Sequence, residues 1–234
     1  MPDIPNNPSN GAADGKVRLA VFDIDGTLIE GQSPAIVARC LFMKGLLGVR
    51  RAAKAIVWGI RYELGFTLET TMVRELVFGT LAGMPLDEAN AILKDIYEHH
   101  IVGKERKKAV DRIHWHQEHG EIVVLVSATF QYVAQLFADD LGVHRQTSTE
   151  MEIVDGCYTG RVAGLPDEGD EKPVRLKAHA DAEFGEGNWE VAYSYADHLT
   201  DIPILEMAEH PVVVCPKRSF KKVAQERGWQ IVEW

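Results

Sequence analysis

Apolar residues in this chain follow two periods, and stretches of the two alternate. Val17–Phe22 is short, apolar and partly β-branched, which is the pattern of a buried strand. Residues 122–126 and 190–195 repeat it, and 212–215 and 230–232 give two shorter runs. Elsewhere the spacing changes to three and four, as in Ile56, Ile60 and Leu64, and in Val73, Leu76, Val77 and Leu81. That is the period of a helix with one apolar face. The same spacing predicts helices over residues 104–119, 129–141, 172–184, 202–208 and 219–227, with Pro173 placed where a first helical turn tolerates it. Residues 149–162 alternate on either side of Asp155-Gly156, which predicts a hairpin.

Strands that alternate with helices predict a parallel sheet covered on both faces, an α/β fold. Residues 17–32 and 104–234 supply that core. Residues 33–103 hold helical spacing only, broken at Gly45, Gly48, Gly65 and Gly83-Met84-Pro85, and predict an inserted group of three or four helices. Residues 1–16 are rich in Pro, Asn, Gly and Asp and predict a disordered tail without the apolar core of a signal peptide. Ligands of such sheets bind beyond the carboxyl ends of the strands. Three of the predicted strands end on polar residues: Asp23 and Asp25, Ser127, and Asp197.

Composition narrows the function classes. Of 234 residues, 46% are hydrophobic and 26% charged, as in an ordinary globular protein, and the formal net charge is -10. An acidic chain is a poor match for nucleic acid, whose phosphates need a basic surface. The three cysteines, Cys40, Cys157 and Cys215, are far apart and form no CxxC pair, so neither a zinc site nor a disulfide framework is expected, and a reduced cytoplasmic setting fits. No uncharged apolar run approaches the ~20 residues that span a bilayer, so stable membrane insertion is not expected.

The polar strand ends suggest a chemistry. A carboxylate such as Asp23 can attack phosphorus and form an acyl-phosphate. A second carboxyl two residues on, Asp25, can protonate the leaving oxygen and then activate water. Phosphoryl transfer also needs positive charge on the equatorial oxygens. Mg²⁺ takes oxygen ligands, which Asp23, the Asp25 carbonyl and Asp197 can supply. Ser127 and the amides near it can bind the phosphate at a helix N-terminus, and Lys172 can neutralise charge, with Lys177 as the competing lysine.

These pieces, in this order, resemble the haloacid dehalogenase (HAD) superfamily. Its DxDxT motif is matched by Asp23-Ile24-Asp25-Gly26-Thr27, its Ser/Thr after a hydrophobic strand by Ser127, its lysine by Lys172, and its final acidic pair by Asp197 and Asp201. About 100 helical residues between the first two motifs are similar to the cap of subfamily IB, the phosphoserine-phosphatase-like members. So are the sequences at 124–129, 155–160 and 201–205, and the ending around Cys215-Pro216-Lys217. The resemblance implies a Rossmann-like core with a helical cap and a Mg²⁺-dependent phosphatase of a small phosphorylated metabolite. It implies attack by Asp23, acid–base work by Asp25, and phosphate or substrate contacts from Thr27, Gln32, Ser127, Ala128 and Lys172. It further implies a metal held by Asp23, Asp25 and Asp197, with Asp201 in support. Two positions depart from the pattern: the last motif carries Ala196 and His198 around its first acid, and Gln32 stands where phosphoserine phosphatases carry a Glu. A non-catalytic phosphate-binding protein and a phosphotransferase are the alternatives.

Two further features stand out. His99, His100, His114, His116 and His119 predict a polar helix face. Residues 33–62 hold Arg39, Lys44, Arg50, Arg51, Lys54 and Arg61 and no acid, interleaved with large apolar residues. That mixture suits exposed cap surface, or attraction to an anionic or lipid-like phosphate or a membrane face.

Overall fold

The computed structural model describes residues 15–54, 57 and 70–234. The tail as far as residue 14, the expected periodicity at Ile56, Ile60 and Leu64, and Arg61 lie outside the described residues. In chain order the elements are β1 (Val17–Phe22), α1 (Ser33–Met43), α2 (Thr70–Phe78), α3 (Leu86–Ile96), a π-helical turn (Tyr97–Ile101), α4 (Lys107–Glu118), β2 (Ile122–Phe130) and α5 (Gln131–Asp140). They continue with β3 (Gln146–Thr149), β4 (Met151–Val154), β5 (Cys157–Val162), α6 (Glu171–Phe184), β6 (Trp189–Ala196), a 3-10 turn (Leu199–Asp201), α7 (Ile202–Leu205), β7 (Ala208–Val214), α8 (Arg218–Glu226) and β8 (Gln230–Val232).

Six strands form one sheet in the order β3-β2-β1-β6-β7-β8, every neighbouring pair parallel. The period of two along β1 explains the layering. Ala20 and Phe22 join one apolar cluster, with Phe137 and Ile113, while Leu19 and Val21 join another, with Leu176 and Ile204. Both faces of β1 are thus closed by helices, which is why its sequence reads as a continuous apolar run. The expected hairpin is present as the antiparallel pair β4–β5, with Asp155 (φ 51°) and Gly156 (φ 74°) both left-handed, as a type I′ turn requires.

Three expectations shift. The helix expected over 202–208 stops at Leu205, because Ala208 already pairs with Val191 in the sheet. The strand expected to end at Ser127 runs on to Phe130, with its register against β3 broken between Ser127 and Phe130. The extra residues bulge out at Ala128 and Thr129, and bulges of this kind re-aim side chains beside sites. Finally, the histidines do not form one polar face. His114 and His119 are exposed on α4, but His116 is buried against the sheet, bonded through Nδ1 to Glu121 and through Nε2 to the Tyr195 hydroxyl at 2.9 Å. Burial lowers its pKa, against the pull of Glu121.

His116 fills space and satisfies two buried polar groups. Replacing His116 with Ala is therefore expected to cost about 2–4 kcal/mol in urea unfolding, while His119→Ala stays within about 0.5 kcal/mol. Equal losses for the two variants would contradict this account of α4.

Candidate functional site

The carboxyl end of β1 leads straight into Asp23, whose amide donates to the Tyr195 carbonyl of β6 at 3.0 Å. The chain then turns tightly: the amides of Leu28 and Ile29 both donate to the Ile24 carbonyl, and Gly26 donates to Gly31. Gly26 is required here on two counts. Its φ is +83°, and a β-carbon would stand 2.1 Å from Oδ2 of Asp197. The missing side chain is what lets the loop after β6 approach the loop after β1 so closely.

Lys172 sits in the first turn of α6, 2% exposed. Its Nζ donates to Asp23 Oδ1 at 2.8 Å and to Asp201 Oδ1 at 2.6 Å. Burial works against its charge, but Asp201 and Asp23 outweigh that and raise its pKa above the ordinary lysine value. Lys177, the competing lysine, is exposed and pairs with Asp181. Of the two lysines, Lys172 is therefore the one that the structure brings to the carboxylates.

Asp25 is held differently, although it is two residues from Asp23. The Ser33 amide donates to its Oδ1, and the Ser33 hydroxyl donates to its Oδ2 at 3.1 Å. The Ser33 hydroxyl also meets the Thr129 hydroxyl at 2.5 Å, so the β2 bulge braces the residue that fixes Asp25. Burial pushes Asp25 up to about 6, with the Ser33 bonds, Lys172 and Arg74 opposing. Burial likewise raises Asp23 to about 7, opposed by Lys172 and reinforced by Asp201 and Asp25. Asp197 is raised to about 8 by burial and by the charges of Asp23 and Asp201.

Asp23, Asp197 and Asp201 each offer an oxygen within 4.8 Å of the others. This donor set is all oxygen, which suits a hard divalent cation. Its charge also suits one: the carboxylates of Asp23, Asp25, Asp197 and Asp201 crowd one basin in which, among the described residues, Lys172 is the buried ammonium. Asp197 is the part-exposed member and so faces the approach from solvent.

The remaining expected residues are distributed as follows. Ser127 is buried, its Oγ accepting from the Thr129 amide at 3.3 Å. The Ala128 carbonyl accepts from the Thr149 hydroxyl and from Nε of Arg74. Thr27 is fully buried, and its hydroxyl has no hydrogen-bond partner among the described residues. Gln32 is exposed at the start of α1 and makes no capping bond with its side chain. His198 caps the 3-10 turn, with Nδ1 engaged by the Thr200 amide and hydroxyl, and burial lowers its pKa.

Sequence reasoning missed three participants: Ser33, Thr129 and Arg74. Arg74 reaches from α2 to the Ala128 carbonyl at 3.2 Å and to Glu168 at 2.9 Å. Ser33 carried a weak signal, a small hydroxyl residue before Pro34 at a helix start. Arg74 carried none, because its acidic partner lies 94 positions away.

Comparison with known proteins agrees with this arrangement. The model of the haloacid dehalogenase-like hydrolase family matches residues 20–206. A probable phosphatase of Mycobacterium tuberculosis strain H37Rv is 29% identical over 233 residues, covering 98% of this chain and 80% of that protein. A phosphoserine phosphatase of the same strain is 27% identical over 216 residues, covering 91% and 69%. Among solved structures, a protein of unknown function from Bordetella pertussis Tohama I superposes with a TM-score of 0.83 at 31% identity, covering 93% of this chain and 98% of that one. The chain belongs to the haloacid dehalogenase-like hydrolases.

Proposed function

We propose that this chain is a Mg²⁺-dependent phosphatase that hydrolyses a small phosphomonoester through a phosphorylated Asp23. One observation carries the reading: two carboxylates of a single motif are held in two different environments. Asp23 is bound by the Lys172 ammonium, whereas Asp25 is bound by the amide and hydroxyl of Ser33. Groups so close in sequence but so differently held suit two different roles.

In the first step the free oxygen of Asp23 attacks phosphorus, and the bond to the leaving oxygen breaks. Asp25 gives its proton to that oxygen. Lys172 keeps Asp23 oriented and offsets charge on the phosphate oxygens. Ser127, Ala128 and Thr27 stand where the phosphate is bound in this reading. In the second step Asp25 takes a proton from water, and the water oxygen replaces Asp23 on phosphorus. A Mg²⁺ ion would be held by Asp23, Asp197 and the Asp25 carbonyl, with Asp201 in support, and when bound would supply positive charge to the phosphate oxygens.

We assign residues 33–103 to a cap over this site, supported by Ser33 and Arg74, which reach from that segment to Asp25 and to the β2 bulge. With Gln32 in place of an acid at the cap's entrance, the substrate need not carry the ammonium group of phosphoserine.

A panel of phosphomonoesters assayed with Mg²⁺ tests the activity. Asp23→Asn is expected to lower kcat/KM by roughly 10³-fold or more on whichever substrate is turned over. Activity unchanged in that variant would sink the mechanism.

Asp25→Asn separates the two steps. It should cost about 10²–10⁴-fold on alkyl phosphates, whose leaving oxygen needs a proton, and much less in the first step on p-nitrophenyl phosphate. With the latter substrate, phosphorylated enzyme should accumulate and be visible by intact mass. Equal losses on both substrates, with no accumulation, would remove Asp25 from this role.

The crowded carboxylates also set a pH dependence. Asp23 and Asp197 have folded pKa values of about 7 and about 8, above the unfolded range near 4. Their contribution is most favourable below about pH 4 and is lost as pH rises toward about 8. Added Mg²⁺ should therefore raise the melting temperature more at pH 8 than at pH 5, relative to EDTA, by roughly a few degrees. Asp197→Asn should raise the metal-free melting temperature at pH 8. A Mg²⁺ effect that is the same at both pH values would count against the shared cluster.

A further inference from the structure

The end of α1 and the turn into the next helical stretch, 49–54, carry a surface that the catalytic reading does not use. Among the described residues, eleven large hydrophobic side chains are exposed; four of them lie within this short stretch, Phe42 (44%), Met43 (68%), Leu46 (38%) and Val49 (73%), and a fifth, Val57 (57%), lies just beyond it. Apolar residues exposed singly need no explanation, but a group of them does. Leu41, Leu47 and Ala52 are buried beneath it, so the tip is anchored and the exposed side chains point away from a formed core.

The charge of the same stretch is one-sided. Residues 33–54 hold five of the chain's 25 basic residues and none of its 35 acidic ones. Lys44 pairs with Asp95 from α3, and Arg51 donates to the Gly79 carbonyl. Arg39, Arg50 and Lys54 are exposed and hold no acidic partner among the described residues. Basic and apolar exposed residues therefore interleave on one corner of a chain that is acidic overall.

The chemistry of that mixture selects the occupant. Cores of protein–protein interfaces are depleted of lysine. Here cations stand among the apolar side chains every few positions. That alternation matches the boundary layer of a bilayer, where apolar tips enter the acyl region and basic groups meet anionic headgroups. The strongly negative remainder of the chain would be repelled by the same surface, which would orient the molecule with this corner down.

We propose that this corner docks on an anionic lipid surface as a peripheral contact. α1 then acts as a spacer: with a rise of 1.5 Å per residue, its ten steps from Ser33 to Met43 put the carboxylate site about 15 Å along the helix from the docking tip. A substrate displayed in or released from the bilayer would meet the enzyme at that distance. The proposal is independent of the phosphatase mechanism, because vesicle binding requires none of Asp23, Asp25 or Lys172.

Vesicle sedimentation with the full chain tests it. The protein should pellet with vesicles of phosphatidylcholine containing about 30 mol% phosphatidylglycerol, and far less with phosphatidylcholine alone or at high salt. Arg50→Glu with Lys54→Glu should weaken pelleting roughly tenfold or more, and Met43→Glu with Val49→Glu should do the same at unchanged melting temperature. Leu165→Glu and Val154→Glu, which alter exposed apolar residues elsewhere, should pellet like the parent protein. No pelleting with anionic vesicles overturns the proposal, and so does equal loss in the Leu165 and Val154 variants. A concentration-dependent dimer abolished by Met43→Glu, without vesicle binding, would also overturn it and assign the corner to a second copy of the chain.

Discussion

The site depends on one buried ammonium. Lys172 brings the ends of two distant segments together: Asp23 just after β1, and Asp201 in the turn after β6. Two carboxylates this close and this dry would repel each other, and each would be costly to desolvate alone. Placed between them, one cation converts that repulsion into a fixed geometry. Removing one partner of such a buried set typically costs about 3–5 kcal/mol, because the charges left behind stay buried. The sheet order serves the same end. β1 lies at the centre, with β2 and β6 on either side, so Ser127 near the end of β2 and the loops that carry Asp23 and Asp197 come out side by side.

The surroundings then divide the acids into unlike pairs. Asp23 and Asp201 share Lys172, Asp25 is taken by Ser33, and Asp197 is kept near by the absence of a β-carbon at Gly26. The β2 bulge supports this division. By turning Thr129 toward Ser33, it links the strand that carries Ser127 to the first residue of α1. In this chain the helical segment is thus joined to the core sheet beside the carboxylates by the Ser33–Thr129 hydroxyl pair and by the bond from Arg74 to the Ala128 carbonyl.

Much of this was legible in the sequence because it is local. The parallel sheet follows from apolar runs alternating with helical periodicity, and the acidic loop follows from a strand that stops at Asp-Ile-Asp-Gly. Lys172 was legible in principle as well. It lies on the stripe it shares with buried Leu176 and Ala180, four and eight residues on, whereas Lys177 lies off that stripe and meets Asp181 in water. The end of β2 was not legible, since Ser-Ala-Thr looks like a strand stop and the bulge is set by pairing with β3. The burial of His116 was hidden for a similar reason. Its partner Tyr195 lies 79 positions away, so local pattern could only place it among other polar residues of α4.

The bond from Lys172 to Asp23 spans 149 positions of the chain. During synthesis from the N-terminus, the motif that contains Asp23 is made long before the lysine that completes it. Over that interval its acids remain hydrated and mutually repelling, and no nascent fragment that stops short of α6 contains the assembled site. Assembly of this carboxylate–lysine cluster thus waits until α6 has been made, and the cluster marks a molecule whose two halves have already found each other.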